Sequence, residues 1–299
     1  MKIWASRLLL ALLWLLHFLP LPVLAWLGRG LGLLLHRFGH SRRRVALRNV
    51  QQCLPELSPS QQQALVRRHF QCLGRSMLEL GVLWWSSERR LRRLIHVEGD
   101  VHLAQNSSRP VMWLVPHFLG MDVAGMASQL FQTRPVCAMY QQQTNPVFDQ
   151  AIRRGRARFG LGELHTRHDN ALRLVRAIRR GRVFFNLPDM DFGLKDSAFV
   201  PFFGRPAATL LAPARLARSL DMVVQPVLTE ILPGGQGYRV SFLPAWNGLD
   251  QLDEQDSEEQ AAQRMNRWIE ERIRERPEQY LWVHKRFKTR APGQPAFYN

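Results

Sequence analysis

Lysine is nearly missing from this chain. Only Lys2, Lys195, Lys285 and Lys288 are lysines among 41 basic residues, and the other 37 are arginines. Acidic side chains are also scarce, 24 in all, which leaves a formal net charge of +17. Such a chain is drawn to anionic surfaces, whether phospholipid head groups, nucleic acid or an acidic protein, and charge alone does not choose among them. Cysteine occurs three times, at Cys53, Cys72 and Cys137, with no CxxC pair and no metal-ligand spacing. That odd set supports neither a disulfide framework nor a structural metal site and reads as buried free thiols in a reducing compartment. Internal repeats and low-complexity stretches are absent too. What is present is 299 residues, 46% hydrophobic, ample for a sizeable core.

Charge is missing altogether from Leu8 to Gly28. As one helix this run would reach roughly 30 Å, about the hydrocarbon thickness of a bilayer. Trp14 and Trp26 suit the interfaces. Lys2 and Arg7 precede the run, whereas Arg29, Arg37, Arg42, Arg43, Arg44 and Arg48 follow it, so the positive-inside tendency keeps the bulk of the chain in the cytoplasm. Residues 1–30 are therefore expected to form an N-terminal membrane-anchoring helix, with residues 31–299 as one domain. Two other readings stand beside a simple span. Val23-Leu24-Ala25 resembles a signal-peptidase site, and Pro20 and Pro22 would kink a helix that dips into one leaflet.

Beyond the anchor, Gln51 to Trp85 reads as helical, with Ser58 or Ser60 as cap and Leu65, Val66, Phe70, Cys72, Leu73, Met77 and Leu80 at helical spacing. Short apolar runs then alternate with helical stretches. Val111–Val115, Val136–Tyr140, Val183–Leu187, Val223–Leu228 and Tyr238–Leu243 read as strands. Phe148–Phe159, Asn170–Arg180 and Leu210–Ser219 read as helices. This alternation predicts an α/β fold, a mixed central sheet flanked by helices, largely parallel but with its last two strands forming a hairpin across Pro233–Gly237. An acidic linker, Asp250–Glu259, leads to a final amphipathic helix whose capping box is Ser257 and Gln260.

The chemistry-bearing candidates lie where strands end. Pro110-Val-Met-Trp-Leu-Val-Pro-His117-Phe-Leu-Gly-Met-Asp122 places a histidine and a carboxylate five positions apart, directly after a buried strand. On one helix the two side chains would stand about 140° apart. They meet only if His117 occupies the strand-to-helix turn and Asp122 lies one turn into the helix. Neutral imidazole can accept a hydroxyl proton near neutral pH, and a carboxylate can fix its tautomer. Asp189 and Asp191 follow the strand Val183–Leu187, at the end where α/β sheets put their sites; the alternative is a turn stabilised by Asp. No third ligand at fixed spacing favours a metal there. Arg156 and Arg158 carry the fork geometry that suits a phosphate or a developing oxyanion, or else form a solvated basic face. Arg173, Arg176 and Arg180 form a basic stripe opposite Leu172, Val175 and Ile178, either an ordinary surface helix or a docking face for an acidic protein or anionic head groups.

His117-Phe-Leu-Gly-Met-Asp122 resembles the His-x4-Asp/Glu motif of glycerolipid acyltransferases. Four further segments are similar to the late acyltransferases of lipid A biosynthesis, the lauroyl/myristoyl transferase family. These are Asn145–Asp149 running into Arg153–Arg158, Leu187–Gly193, Phe199–Phe203 with Ala207–Thr209, and Pro277–Arg290. The broader superfamily carries Pro-Glu-Gly-Thr where this chain has Leu187-Pro-Asp-Met-Asp, which argues against a lysophosphatidate enzyme. Pro116 stands where many relatives have Asn.

The resemblance implies an enzyme of the bacterial inner membrane, its catalytic domain on the cytoplasmic side, needing no cofactor. It would move an acyl chain from acyl carrier protein to a hydroxyl of a lipid A precursor, with inner-membrane lipids around it. His117 would deprotonate the hydroxyl, Asp122 would orient His117 and stabilise the imidazolium, and no acyl-enzyme would form. Arg156, Arg158, Asp189 and Asp191 would bind substrate. A different lipid or glycolipid acceptor is the nearest alternative. A nucleic-acid or anionic-surface binding protein is the distant one, disfavoured because the aromatic residues lie mainly in apolar runs rather than interleaved with arginine.

Overall fold

The computed structural model describes residues 3–166, 171–249 and 257–298. The acidic linker expected at Asp250–Glu259 lies outside the described residues as far as position 256. Five helices come first: α1 (Ile3–Leu16), α2 (Leu21–Phe38), α3 (His40–Cys53), α4 (Pro59–Trp85) and α5 (Glu88–Leu94). Strands and helices then alternate through β1 (Ile95–Gly99), α6 (Leu103–Asn106), β2 (Val111–Leu114), α7 (Met121–Leu130), β3 (Val136–Tyr140), α8 (Pro146–Arg156), β4 (Gly162–Thr166), α9 (Ala171–Arg179) and β5 (Val183–Asn186). The hairpin β6 (Ser197–Phe202) and β7 (Arg205–Leu210) follows, then α10 (Ala212–Ser219), β8 (Val223–Ile231), β9 (Tyr238–Phe242) and α11 (Glu258–Glu275).

Seven strands form one sheet in the order β1-β9-β8-β2-β5-β3-β4. From β8 to β4 every neighbouring pair is parallel, β9 runs antiparallel to β8 in the expected hairpin, and β1 is parallel to β9. The sheet is mixed, as its sequence pattern predicts. β2 is buried on both faces. Its side chains alternate, Met112 and Leu114 entering one apolar cluster and Val111, Trp113 and Val115 the other. Trp113 keeps its indole N–H satisfied deep inside by donating to Gln225 Oε1 at 2.9 Å. Strands β1 and β4 and the β6–β7 hairpin escaped the sequence reading. The exposed or half-buried faces of β1 and β4 dilute the apolar signal that marks the central strands.

The N-terminal run is not one straight helix but is divided at Pro20 and Pro22, the kink that stood as an alternative to a simple span. It breaks between Leu16 and Leu21, because Pro20 and Pro22 lack the N–H groups that a continuous helix would need. Arg90 fastens this break by donating to the carbonyls of His17 and Leu19. Among the described residues no helix is long and apolar enough to cross a membrane. Instead α2 lies along α4 at backbone contact: a Cβ on Gly28 would come 2.6 Å from Arg75 Cα, and one on Gly32 would strike the Phe70 carbonyl. The outer faces of α1 and α2 remain apolar and exposed, with Trp26 73% and Phe38 69% accessible. The helix α4 starts at a complete capping box built on Ser58 and Gln61, and α11 at one built on Ser257 and Gln260.

Candidate active site

β2 and β5 are parallel neighbours, so the turns leaving their carboxyl ends meet. The first carries His117, the second Asp189. The Asp189 carboxylate grips His117 twice: Oδ2 accepts the His117 backbone N–H at 2.9 Å, and Oδ1 lies 2.6 Å from His117 Nδ1. A carboxylate can only accept, so the proton sits on Nδ1 and the lone pair on Nε2. Asp189 is 1% exposed. Burial raises its carboxyl, but the facing His117, by charge and by both hydrogen bonds, holds it below the usual carboxylate range.

The main chain of His117 is equally fixed. Its carbonyl accepts Leu281 N–H at 3.0 Å, Leu119 N–H donates to the Gln279 carbonyl at 2.8 Å, and Phe118 bridges Tyr280. The segment from Gln279 to Leu281 thus clamps the turn from the far end of the chain. Asp191 serves the same C-terminal segment. Its Oδ1 accepts from Gly193 N (3.0 Å) and Thr289 Oγ1 (2.7 Å), its Oδ2 from Thr289 N (2.6 Å), and its own N–H donates to His284 Nε2 at 3.0 Å. Burial lowers the pKa of His284 to about 4, with further lowering from His117 and Arg286, so it stays neutral as an acceptor.

Asp122 does not make the contact expected of it. It sits in the first turn of α7, and its carboxylate is taken by Arg156, whose Nε donates at 2.7 Å and Nη2 at 3.3 Å. The local reason is the helix start. Met121 already has helical geometry, so Asp122 projects toward α8, leaving Nδ1 of His117 to the carboxylate from β5. Burial pulls Arg156 down, but Asp122 outweighs it and holds the guanidinium above its ordinary value. Arg158 is committed elsewhere: Nη1 and Nη2 donate to the carbonyls of Leu83 and Ser86, and the guanidinium stacks over Phe159. Of the four residues expected to touch substrate, Asp189 is thus buried behind His117, Asp191 is spent on Thr289 and Gly193, and Arg158 ties α8 to α4. Arg156, held by Asp122, keeps partial exposure beside the motif.

A cavity of about 190 Å³ opens beside this turn, between α4 and the start of α7. Leu73, Met77, Leu80 and Leu83 wall one side, Phe118, Met121 and Ile231 the other. The cysteines take no part. Burial raises Cys72 to about 11 and Cys137 to about 12, and lifts Cys53 well above its ordinary value, so no thiolate forms near neutral pH.

The constellation is a base with a buried orienting acid next to an apolar cavity, on a chain whose motifs run in one order from end to end. The family model described as bacterial lipid A biosynthesis acyltransferase matches residues 1–289. The chain belongs to that family. It is similar to the lipid A biosynthesis lauroyltransferase of Escherichia coli (strain K12), 33% identical over 300 residues, covering 99% of this chain and 95% of the relative. The palmitoleoyltransferase of the same strain is 32% identical over the same shares. The myristoyltransferase is 34% identical over 275 residues, 91% of this chain and 82% of the relative. The protein is an acyltransferase of lipid A biosynthesis.

Proposed function

We propose that this acyltransferase moves an acyl chain from acyl carrier protein directly to a hydroxyl of a lipid A precursor, with His117 as general base. The observation that carries the proposal is the tautomer: with Nδ1–H donated to buried Asp189, the lone pair of Nε2 is left for a hydroxyl proton. As that proton transfers, the acceptor oxygen attacks the thioester carbonyl carbon, and the carbon–sulfur bond breaks. The imidazolium then returns its proton to the departing thiolate. Asp189 stabilises the imidazolium in between, as the carboxylate of a catalytic triad does. Arg156, oriented by Asp122, is the positioned cation for the charge that develops on the thioester oxygen.

The acyl chain is assigned to the apolar cavity between α4 and α7. The reaction is assigned to the surface of the bacterial inner membrane, on its cytoplasmic side. Two features support this: α1, α2 and the break between them turn Trp4, Leu8, Leu15, Phe18, Trp26 and Phe38 outward, and Arg42, Arg43 and Arg44 follow at once. Apolar helices lying in the interface with basic flanks bind anionic bilayers in this way. Lipid A mass spectrometry of a strain lacking the gene tests the function. The lost mass should equal one secondary acyl chain, restored by the wild-type gene. An unchanged lipid A profile, with another lipid altered instead, would redirect the assignment to a different acceptor.

A further inference from the structure

A second cavity, about 380 Å³, opens at the edge strand β4 and belongs to no part of the His117 site. It falls within the roughly 300–1,000 Å³ typical of ligand pockets. Its chemistry is the reverse of the first cavity. Arg153, Arg173, His165, Thr166 and Gln142 bring donors to it, and the carboxylate Glu163 on its wall is met by Arg182 Nε at 2.8 Å. Arg153 lies over the Tyr140 ring at 5.8 Å and has no ion-pair partner among the described residues. His165 is 6% exposed, and its Nε2 makes no hydrogen bond, although Glu163 Oε1 is 3.2 Å away. A buried ring nitrogen without a hydrogen bond, in a basic pocket, marks a place where a ligand completes the bonding.

The position of the pocket says more. Strands β2, β5, β3 and β4 are parallel, so the turn bearing His117 and the Tyr140 and Thr166 ends of β3 and β4 lie on one edge of the sheet. β4 is three strands from β2, and three spacings of roughly 4.8 Å put the pocket about 14 Å from the base. Asn145, just before α8, donates to Ser6 Oγ at 2.7 Å, so α1 covers the same edge with its apolar helix. A phosphoryl group joined closely to the reacting hydroxyl, as on a glycerol backbone, cannot span that separation. One carried on a distant part of a sugar head group can.

We infer that this pocket is a phosphoryl-binding subsite for the lipid acceptor, with Arg153, Arg173, His165 and Thr166 as its donors. The inference rests on the proposed acceptor class. Guanidinium forks and a hydroxyl are the donor set that matches three phosphoryl oxygens. The subsite holds the head group while His117 works on a hydroxyl farther along the same molecule.

The test titrates inorganic phosphate into the full-length protein by calorimetry and compares Arg153→Gln, Thr166→Val and the wild type. Arg153 is exposed, so its replacement leaves the fold intact, which an unchanged melting temperature checks. Phosphate affinity should fall at least tenfold in Arg153→Gln and remain in His117→Ala. In acyl transfer, Arg153→Gln should raise KM for a phosphorylated acceptor about tenfold with little change in kcat, and the wild-type preference over the dephosphorylated acceptor should shrink correspondingly. Equal phosphate affinity in all variants, or none in the wild type, overturns the subsite. Phosphate binding that depends on Arg153, with no effect on acceptor KM, overturns its assignment to the head group. If phosphate binds through Arg153 but the wild type transfers no acyl chain to any lipid A precursor, the proposed reaction fails while the subsite stands.

Discussion

Replacing Asp189 by asparagine isolates the contact on which the proposed base depends. The side chain keeps its volume, so the fold around a residue 1% exposed is preserved. What changes is the group facing His117 Nδ1 at 2.6 Å. Asparagine can still accept the His117 backbone N–H through its oxygen. Its amide then turns toward Nδ1, which favours the tautomer with the proton on Nε2, where no base remains. A hydrogen bond to a charged partner is worth roughly 1.5–3 kcal/mol, or about 10- to 150-fold in rate. The same exchange in a serine protease triad, where the tautomer also inverts, costs about 10⁴ in kcat. The expectation is a kcat lowered between about 10² and 10⁴ with KM little altered. The assay is transfer of labelled acyl chains from acyl carrier protein, under single-turnover conditions, on membranes with matched protein content. Asp189→Glu should recover part of the loss by restoring an acceptor. A variant within a few-fold of wild type would refute the reasoning. Stability offers an independent readout. The depressed pKa of Asp189 contributes stability that is present above its unfolded value, about 4, and is lost as pH falls through the lower folded value. Asp189→Asn should remove that acid limb.

Other expectations follow from the same geometry. A double-mutant cycle of Asp122→Ala and Arg156→Met should show coupling of about 1–2 kcal/mol in urea unfolding, between exposed and fully buried pairs, whereas none is expected between Asp122 and His117. His69 is fully buried and its pKa is lowered by burial to about 4 from 6.5. It favours the folded state above pH 6.5 and loses that contribution as pH falls toward 4, a share of about 2 kcal/mol between pH 7 and pH 5, and His69→Gln should remove this share of the slope in urea melts while that of the similarly lowered His284 remains. Gly74→Leu would drive a side chain into the backbone of α2 at Gly28 and Gly32; the melting temperature should fall by more than 5 °C, while Gly30→Ala, inside α2 with nothing within 4 Å, should keep or raise it through helix propensity.

The sequence made the central strands legible because buried parallel strands are continuous apolar runs, as at Val111–Val115 and Val183–Leu187. It also placed His117 correctly, in the turn after such a run. It paired that histidine with the wrong carboxylate, and the reason is instructive. Spacing along the chain favours Asp122, but the parallel pairing of β2 with β5 brings Asp189 across 72 residues. The usable clue was Leu187-Pro-Asp189, a carboxylate at the carboxyl end of a second buried strand, which the turn alternative obscured. Arg156 and Asp122 were each singled out but not joined, since nothing local connects α7 to α8. The anchor was read first as one helix on its uncharged length, and the alternative with a kink at Pro20 and Pro22 located the break that divides α1 from α2. Pro277–Arg290 was singled out by resemblance, but its clamp on the His117 turn through Gln279 and Leu281 was not, since main-chain hydrogen bonds leave no mark in the side-chain pattern.

The central claim is direct transfer by His117, and its substitution by alanine tests it most directly. Membranes holding the full-length protein would be supplied with labelled acyl carrier protein and a lipid A precursor, and product would be followed by mass. His117→Ala should lose turnover by at least 10³, the upper part of what a positioned general base contributes. A triple variant with Cys53, Cys72 and Cys137 replaced by alanine should retain activity in its folded fraction. Turnover by His117→Ala close to that of the wild type would contradict the account.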